Sequence, residues 1–245
     1  MIALSLIPAL TFAVTAEQKE AMLQANIKVL EKQGLPIPGS GVQVVPSSQI
    51  KMPEWQRKKF LMDYQEQKSK GYVNKASMRA HELIHIEAQI KKQGLKNTAA
   101  LKATDTELRT RPEDIAFAYS YIGVPESEIK EFFGIAPVGA YVNEPQTGWT
   151  GGVAFFKTSF ANCAYTEKSF RAGQEAVQID QDAAQYDVNG KVTLIDIEGN
   201  QSTGFLYRVN WFDHNYNRDL ECASKEYSKE ISQSTIALAK KIDKA

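Results

Sequence analysis

Two of the three histidines in this 245-residue chain, His81 and His85, lie four residues apart with Glu82 between them. If this run is helical, the two imidazoles lie one turn apart on the same face, where both can bind one metal ion. Glu82 then projects beside them, where a carboxylate can act as general base on a metal-bound water. The spacing therefore predicts a metal-dependent hydrolytic site on this helix.

This H-E-x-x-H pattern resembles the active-site helix of the zincin metallopeptidases. Arg79 and Glu87 are charged at flanking positions where that family usually has uncharged residues. The resemblance implies a zinc cofactor bound by His81 and His85 and a catalytic role for Glu82. It also implies a peptide or protein substrate.

A catalytic zinc ion needs a third protein ligand. The resemblance implies a carboxylate from a following helix, and Glu113 begins such a predicted helix at a suitable distance along the chain. Glu113 can equally complete an N-terminal cap with Thr110. Asp114 and Glu107 are alternative carboxylates, and His214 in the C-terminal part is the remaining histidine.

The composition narrows the classes of partner. Hydrophobic residues make up 43% of the chain and charged residues 24%, as in ordinary soluble domains. Lys plus Arg and Asp plus Glu both number 29, so the formal net charge is zero. This balance argues against a nucleic-acid partner, which normally requires a basic excess or a basic stripe. Beyond the N-terminus no segment is apolar enough to span a bilayer, so we expect no transmembrane segment in the mature chain.

Residues 1–16 predict a signal peptide, because residues 2–14 are almost entirely apolar and small residues precede Glu17. No Lys or Arg precedes the apolar run. The two cysteines, Cys163 and Cys222, predict one disulfide in an oxidising compartment, with two buried thiols as the alternative. We therefore expect an exported protein, either periplasmic or secreted.

The hydrophobic pattern changes along the chain. Residues 17–136 have a helical period, residues 137–152 are rich in glycine and proline and predict a linker, and residues 153–245 alternate as in strands before a closing helix. We predict an α+β fold, with a helical N-terminal half followed by a small antiparallel sheet and a C-terminal helix. The predicted helices are residues 17–33, 53–68, 74–94, 98–108, 110–122, 126–133 and 224–242, and the predicted strands are residues 42–45, 153–157, 191–198 and 205–212.

The sequence supports two functions. The first is an exported zinc-dependent hydrolase, in particular a metallopeptidase. The second is a non-catalytic secreted or envelope protein that binds a protein or envelope partner, in which the H-E-x-x-H run is coincidental and lies on a solvated helix face. Geometry separates them: a zinc site requires the His81 and His85 rings to converge in a cleft with a carboxylate within metal-bonding distance.

Overall fold

The computed structural model describes residues 41–88, 124–142 and 148–244, together with scattered helical positions between residues 21 and 32. The chain divides into two compact units, Met1–Ile37 and Pro38–Ala245. The scattered positions belong to the first unit and lie within the helix predicted at residues 17–33. Every element described below belongs to the second unit.

The described part of the second unit contains ten strands and four α-helices. The strands are β1 (Gly41–Val45), β2 (Val73–Asn74), β3 (Glu131–Val142), β4 (Gly148–Lys157), β5 (Asn162–Ser169), β6 (Ala176–Asp180), β7 (Gln185–Val188), β8 (Lys191–Asn200), β9 (Gly204–Phe212) and β10 (Tyr216–Ser224). The helices are α1 (Glu54–Lys70), α2 (Met78–Ile84), α3 (Phe170–Gly173) and α4 (Lys229–Ile242).

Eight of these strands form one mixed sheet. Seven follow the order β2-β8-β9-β10-β5-β4-β3, and β7 also pairs with β8. The pairs from β8 to β3 are antiparallel, whereas β2 runs parallel to β8. β1 and β6 form a separate two-stranded parallel sheet. On the outer edge of β8, β7 pairs with residues 191–193 and β2 with residues 198–199, so within the described residues a gap at 194–197 has no strand partner.

The predicted fold class is wrong, because the protein has a large mixed sheet rather than a helical N-terminal half followed by a small antiparallel sheet. β1 and β2 lie in the half predicted to be helical, although β1 itself matches the strand predicted at residues 42–45. In place of the helix predicted at residues 126–133, the chain forms a 3-10 turn, Glu126–Glu128, and then enters β3. The helices predicted at 98–108 and 110–122 lie outside the described residues.

β3 and β4 occupy both ends of the segment predicted as a linker, residues 137–152. Glycines and Pro137 suggested a loop there. However, β3 pairs only with β4 among the described strands, and an edge position tolerates a proline because one side of the strand needs no backbone donor. Two shifts of register, between Phe132 and Gly134 and between Val138 and Tyr141, adjust β3 to its partner.

Helix α4 covers one face of the sheet and confirms the predicted closing helix. Ser228 caps it, since the hydroxyl oxygen accepts hydrogen bonds from two backbone N–H groups of the first turn. Leu238 and Ile242 are buried in one core cluster with Trp211 of β9. The Trp211 indole N–H donates to Asp243, just beyond the helix, over 3.0 Å. The alternate residues Val209 and Trp211 of β9 are therefore buried in the cluster that α4 covers.

Helix α2 packs on the opposite face of the sheet. Ala80 and Leu83, 0% and 1% exposed, contact Leu206 of β9 in a second core cluster. Gly204, at the start of β9, has φ of 80°, and a Cβ atom at this position would collide with Ile84 of the helix. The Ile84 side chain could move aside, but the positive φ and the backbone oxygen of Ser224, 2.8 Å from such a Cβ atom, both favour glycine at residue 204.

A disulfide joins the central strands β5 and β10. Cys163 and Cys222 lie directly opposite each other, with Cα atoms 4.1 Å apart, and both are buried in the core beneath α4. The predicted pairing is therefore confirmed. The two residues are 59 positions apart in sequence, and the chain-entropy model gives such a cross-link a stabilisation of about 4 kcal/mol.

Replacing both cysteines by alanine is expected to lower the free energy of unfolding by about 4 kcal/mol, because the unfolded chain regains the entropy that the cross-link removes. Chemical denaturation of the variant and of the oxidised protein measures this difference. Denaturation of the unmodified chain in the presence of a reductant should show a similar loss. Equal stability of oxidised, reduced and substituted protein would contradict the prediction.

Candidate functional site

Helix α2, which carries the H-E-x-x-H run, begins at Ser77 rather than at the predicted cap, Asn74. The Ser77 hydroxyl oxygen accepts a hydrogen bond from the backbone N–H of Ala80 over 3.3 Å. Its own N–H donates to Thr203 Oγ1 over 3.0 Å, which joins the first turn to the loop between β8 and β9. Asn74 lies in β2 instead. The helix is thus fixed to the sheet at its start and along its buried side.

His81 and His85 lie one turn apart on the exposed side of this helix, as their spacing predicts. Their ring centroids are 4.4 Å apart. Nδ1 of His85 lies 2.8 Å from the backbone oxygen of His81, so the ring N–H donates to this carbonyl and leaves Nε2 for another group. A backbone carbonyl commonly orients metal-binding histidines in this way. The pair could therefore supply two ligands to a surface metal ion.

Glu82 forms an ion pair with Arg79 of the same helix. Its side chain is 54% exposed, and its carboxylate lies 3.6 Å from Nη1 of Arg79. Arg79 also donates from Nε to the buried carboxylate of Glu221 over 2.7 Å. Arg79, one of the two charged residues that depart from the zincin pattern, is therefore part of the attachment of α2 to β10, and Glu82 pairs with this arginine.

The structure does not bring a third ligand to the two histidines within the residues it describes. Among these residues no group of three or more His, Cys, Asp or Glu side chains could hold a metal ion. Glu113, Glu107 and Asp114 lie outside the described residues. His214 lies beyond the far end of β9 from Leu206, which contacts α2, and the strand between them spans roughly 20 Å.

A row of charged side chains crosses the sheet beside α2. Glu221 accepts hydrogen bonds from both Arg79 and Arg208. Nε of Arg208 also lies 3.6 Å from Oδ2 of Asp219, whose side chain is 28% exposed. The other oxygen, Oδ1, is buried and has no hydrogen-bond partner in the described part of the chain. Burial, together with the adjacent Glu221 carboxylate, raises the pKa of Asp219 to about 7.

Helix α1 presents a different kind of surface, because none of its residues is buried. Its large apolar side chains are between 40% and 66% exposed, and they are Trp55, Phe60, Leu61, Met62 and Tyr64. The sequence predicts this helix at residues 53–68 but not its exposure. The signal of that exposure is the spread of these five residues around the helix, since a helix that buries one face gathers them in one stripe.

Gln67 holds α1 against the unpaired gap on the edge of β8. Its side-chain amide donates to the backbone oxygen of Ile195 over 2.7 Å, and its side-chain oxygen accepts from the N–H of Ile197 over 2.9 Å. The amide thereby takes the place of a peptide group of a neighbouring strand. This pair of hydrogen bonds satisfies two backbone groups that neither β2 nor β7 reaches.

Three cavities follow the length of α1, and together we call them the α1 groove. The first, of about 300 Å³, lies toward β6 and is mainly apolar, with Leu61 and Ile179 among its walls. The second, of about 220 Å³, lies over β8 and contains Asp196. The third, of about 350 Å³, lies toward α4. Phe60 lines the first two and Tyr64 the last two, so neighbouring cavities share a wall.

Comparison with known proteins identifies no relative of this chain. No family model matches the chain, no curated protein matches its sequence, and no solved structure matches its fold. The resemblance to the zincins therefore rests on residues 81–85 alone. Of the helices that the structure describes, none combines the length and the apolar character needed to cross a membrane.

The pKa of Asp219 predicts a pH-dependent stability. Because this pKa is raised in the folded state, the folded protein binds the proton more tightly than the unfolded chain, and stability falls as the pH rises from about 4 through 7. When the pH is raised from about 5 to about 8, the free energy of unfolding of the unmodified protein should fall by about 2 kcal/mol more than that of the Asp219→Asn variant. Denaturant titrations at both pH values test this, with the exposed Asp187→Asn variant as control. If the free energies of unfolding of the two variants changed equally with pH, the prediction would be contradicted.

Gln67→Leu should loosen α1, because a leucine side chain can neither donate to the Ile195 carbonyl nor accept from the Ile197 N–H. We expect the free energy of unfolding to fall by about 1–3 kcal/mol and amide hydrogen exchange at Ile197 to become faster. Gln65→Leu is the matched control, since it makes the same change at an exposed position of the same helix. Unchanged exchange at Ile197 in Gln67→Leu would show that the Gln67 side chain does not protect this edge.

Proposed function

We propose that this protein is an exported, non-catalytic binding protein that holds a segment of a partner protein in the α1 groove. One observation carries the proposal: helix α1 exposes its large apolar side chains and lines three neighbouring cavities. Three of these side chains, Phe60, Leu61 and Tyr64, line the cavities, and exposed apolar surface beside a groove is typical of sites of protein interaction.

Polar contacts hold α1 near both of its ends. Gln67 bonds to the edge of β8 near the end of the helix. Near its start, Arg57 donates to the backbone oxygens of Ser47 and Ile50, each over 3.0 Å. The large apolar side chains of the helix keep 40% or more of their surface exposed. This exposed apolar surface is available to a partner, whose binding would remove it from water.

The H-E-x-x-H helix has a structural explanation that needs no reaction. Ala80 and Leu83 anchor it in the core, and Arg79 connects it to Glu221. The disulfide between β5 and β10 supports export, because such cross-links persist mainly in oxidising compartments.

Selection of random peptides displayed on phage against the immobilised full chain tests the binding function. Peptides recovered on the unmodified protein should bind at least about tenfold less well to Leu61→Asp, because the charge disrupts the apolar wall of the groove. Met78→Asp is the control, since Met78 is exposed to a similar degree on another helix. Peptides whose binding is lost in His81→Ala but not in Leu61→Asp would contradict the proposal.

A zinc-dependent hydrolase is the second candidate, favoured by the proximity of the His81 and His85 rings and by the carbonyl that orients His85. Within the described residues the donor set supplies two protein ligands, one fewer than a catalytic zinc ion usually has. Glu113 is the proposed third ligand of this candidate and Glu82 the proposed base.

Elemental analysis of the full chain after dialysis without chelator distinguishes the two candidates. The binding function predicts much less than one zinc ion per chain and no effect of Glu82→Gln on any residual hydrolysis of casein. The hydrolase predicts about one zinc ion per chain, lost in His81→Ala. It also predicts that Glu82→Gln abolishes hydrolysis while zinc stays bound.

A further inference from the structure

The cavity over β8 contains the carboxylate of Asp196, and the role of this charge in recognition rests on the proposed binding function. This cavity, of about 220 Å³, is walled by the rings of Phe60 and Tyr64 on the α1 side. The charged residues that line it, of which Asp63 belongs to α1, are three carboxylates and two cations: Asp63, Asp196, Glu198, Lys75 and Arg208. The carboxylates therefore outnumber the cations by one.

Both cations are already neutralised. Lys75 lies 2.7 Å from Glu198 and 4.0 Å from Asp63. Arg208 binds Glu221 and lies 3.6 Å from Asp219, neither of which lines the cavity.

Asp196 is the carboxylate left over. Within the described residues, its side-chain carboxylate forms no hydrogen bond or ion pair. Arg208 and Lys75 attract it at longer range, but each of them is paired with another carboxylate. Its side chain is exposed to the cavity, yet the protein atoms crowded around it remove enough water to raise its pKa. A cationic group in the cavity would supply the missing countercharge.

The neighbouring cavity of about 300 Å³ indicates the kind of side chain that would lie next to this cation. It shares the Phe60 wall, and Leu61, Val177, Ile179 and Leu194 make it mainly apolar. We infer that the α1 groove recognises a partner segment in which a lysine or arginine side chain adjoins an apolar one, with Asp196 as the residue that pairs with the cation. The apolar side chain enters the first cavity, and the cationic head lies over β8.

Hexylammonium and its neutral isostere 1-hexanol test this inference on the ¹⁵N-labelled full chain. Amide shifts at Phe60, Leu61 and Ile197 report binding in the groove. We expect hexylammonium to bind at least about tenfold more tightly than 1-hexanol. In Asp196→Asn this advantage should disappear, while the affinity for 1-hexanol stays the same. Asp187→Asn, at an exposed position outside the groove, should keep it.

The outcomes separate the inference from the function on which it rests. Equal binding of both probes at these amides would overturn the role of Asp196 and leave the groove as an apolar binding site. A preference for hexylammonium that persists in Asp196→Asn would overturn the assignment of this residue. If neither probe shifted the signals of the groove, both the inference and the proposed function would be contradicted.

Discussion

The organisation of this protein depends on how one exposed strand edge is satisfied. β8 is paired along one side by β9, but on its other side β7 and β2 reach only its two ends. Unpaired backbone groups between these ends would cost free energy if buried, and if exposed they could pair with a strand of another chain. Gln67 fills the gap with a side-chain amide instead of a strand. A helix thereby lies where a strand would otherwise continue the sheet.

The presence of a helix instead of a strand at this edge has a consequence for function. A strand in this position would pack its side chains on the faces of the sheet, whereas α1 touches the edge through few polar side chains and leaves cavities on both sides. Its apolar residues consequently remain in contact with solvent. The proposed binding groove is therefore a product of the way the edge is closed, and it lies apart from the H-E-x-x-H helix on the sheet face.

The parts of the fold governed by local pattern could be predicted from the sequence. β9 alternates apolar and polar residues, and α1 and α4 lie within one to five residues of their predicted bounds, although α4 begins at Lys229 rather than at residue 224. β10 could not be predicted in this way, because Asp219 and Glu221 are charged inside a sheet and their partners are distant in sequence. The same limit applies to the site: helical spacing places the histidines together, but the orientation of Glu82 depends on Arg79 and on a carboxylate 142 residues beyond it. The role of Gln67 could not be predicted, because it depends on β2 and β7 pairing with only the two ends of β8.

Hydroxyl-radical footprinting of the full chain by mass spectrometry tests the central claim, that the apolar wall of the α1 groove is open until a partner binds. Tyr64, which lines two cavities of the groove, and Tyr141 of β3, which lines none of the three, are 40% and 46% exposed. In the free protein both should be oxidised at similar rates, and a peptide selected on the chain should protect Tyr64 but not Tyr141. A Tyr64 that is already protected in the free protein, or equally protected with Tyr141 by the peptide, would contradict this claim.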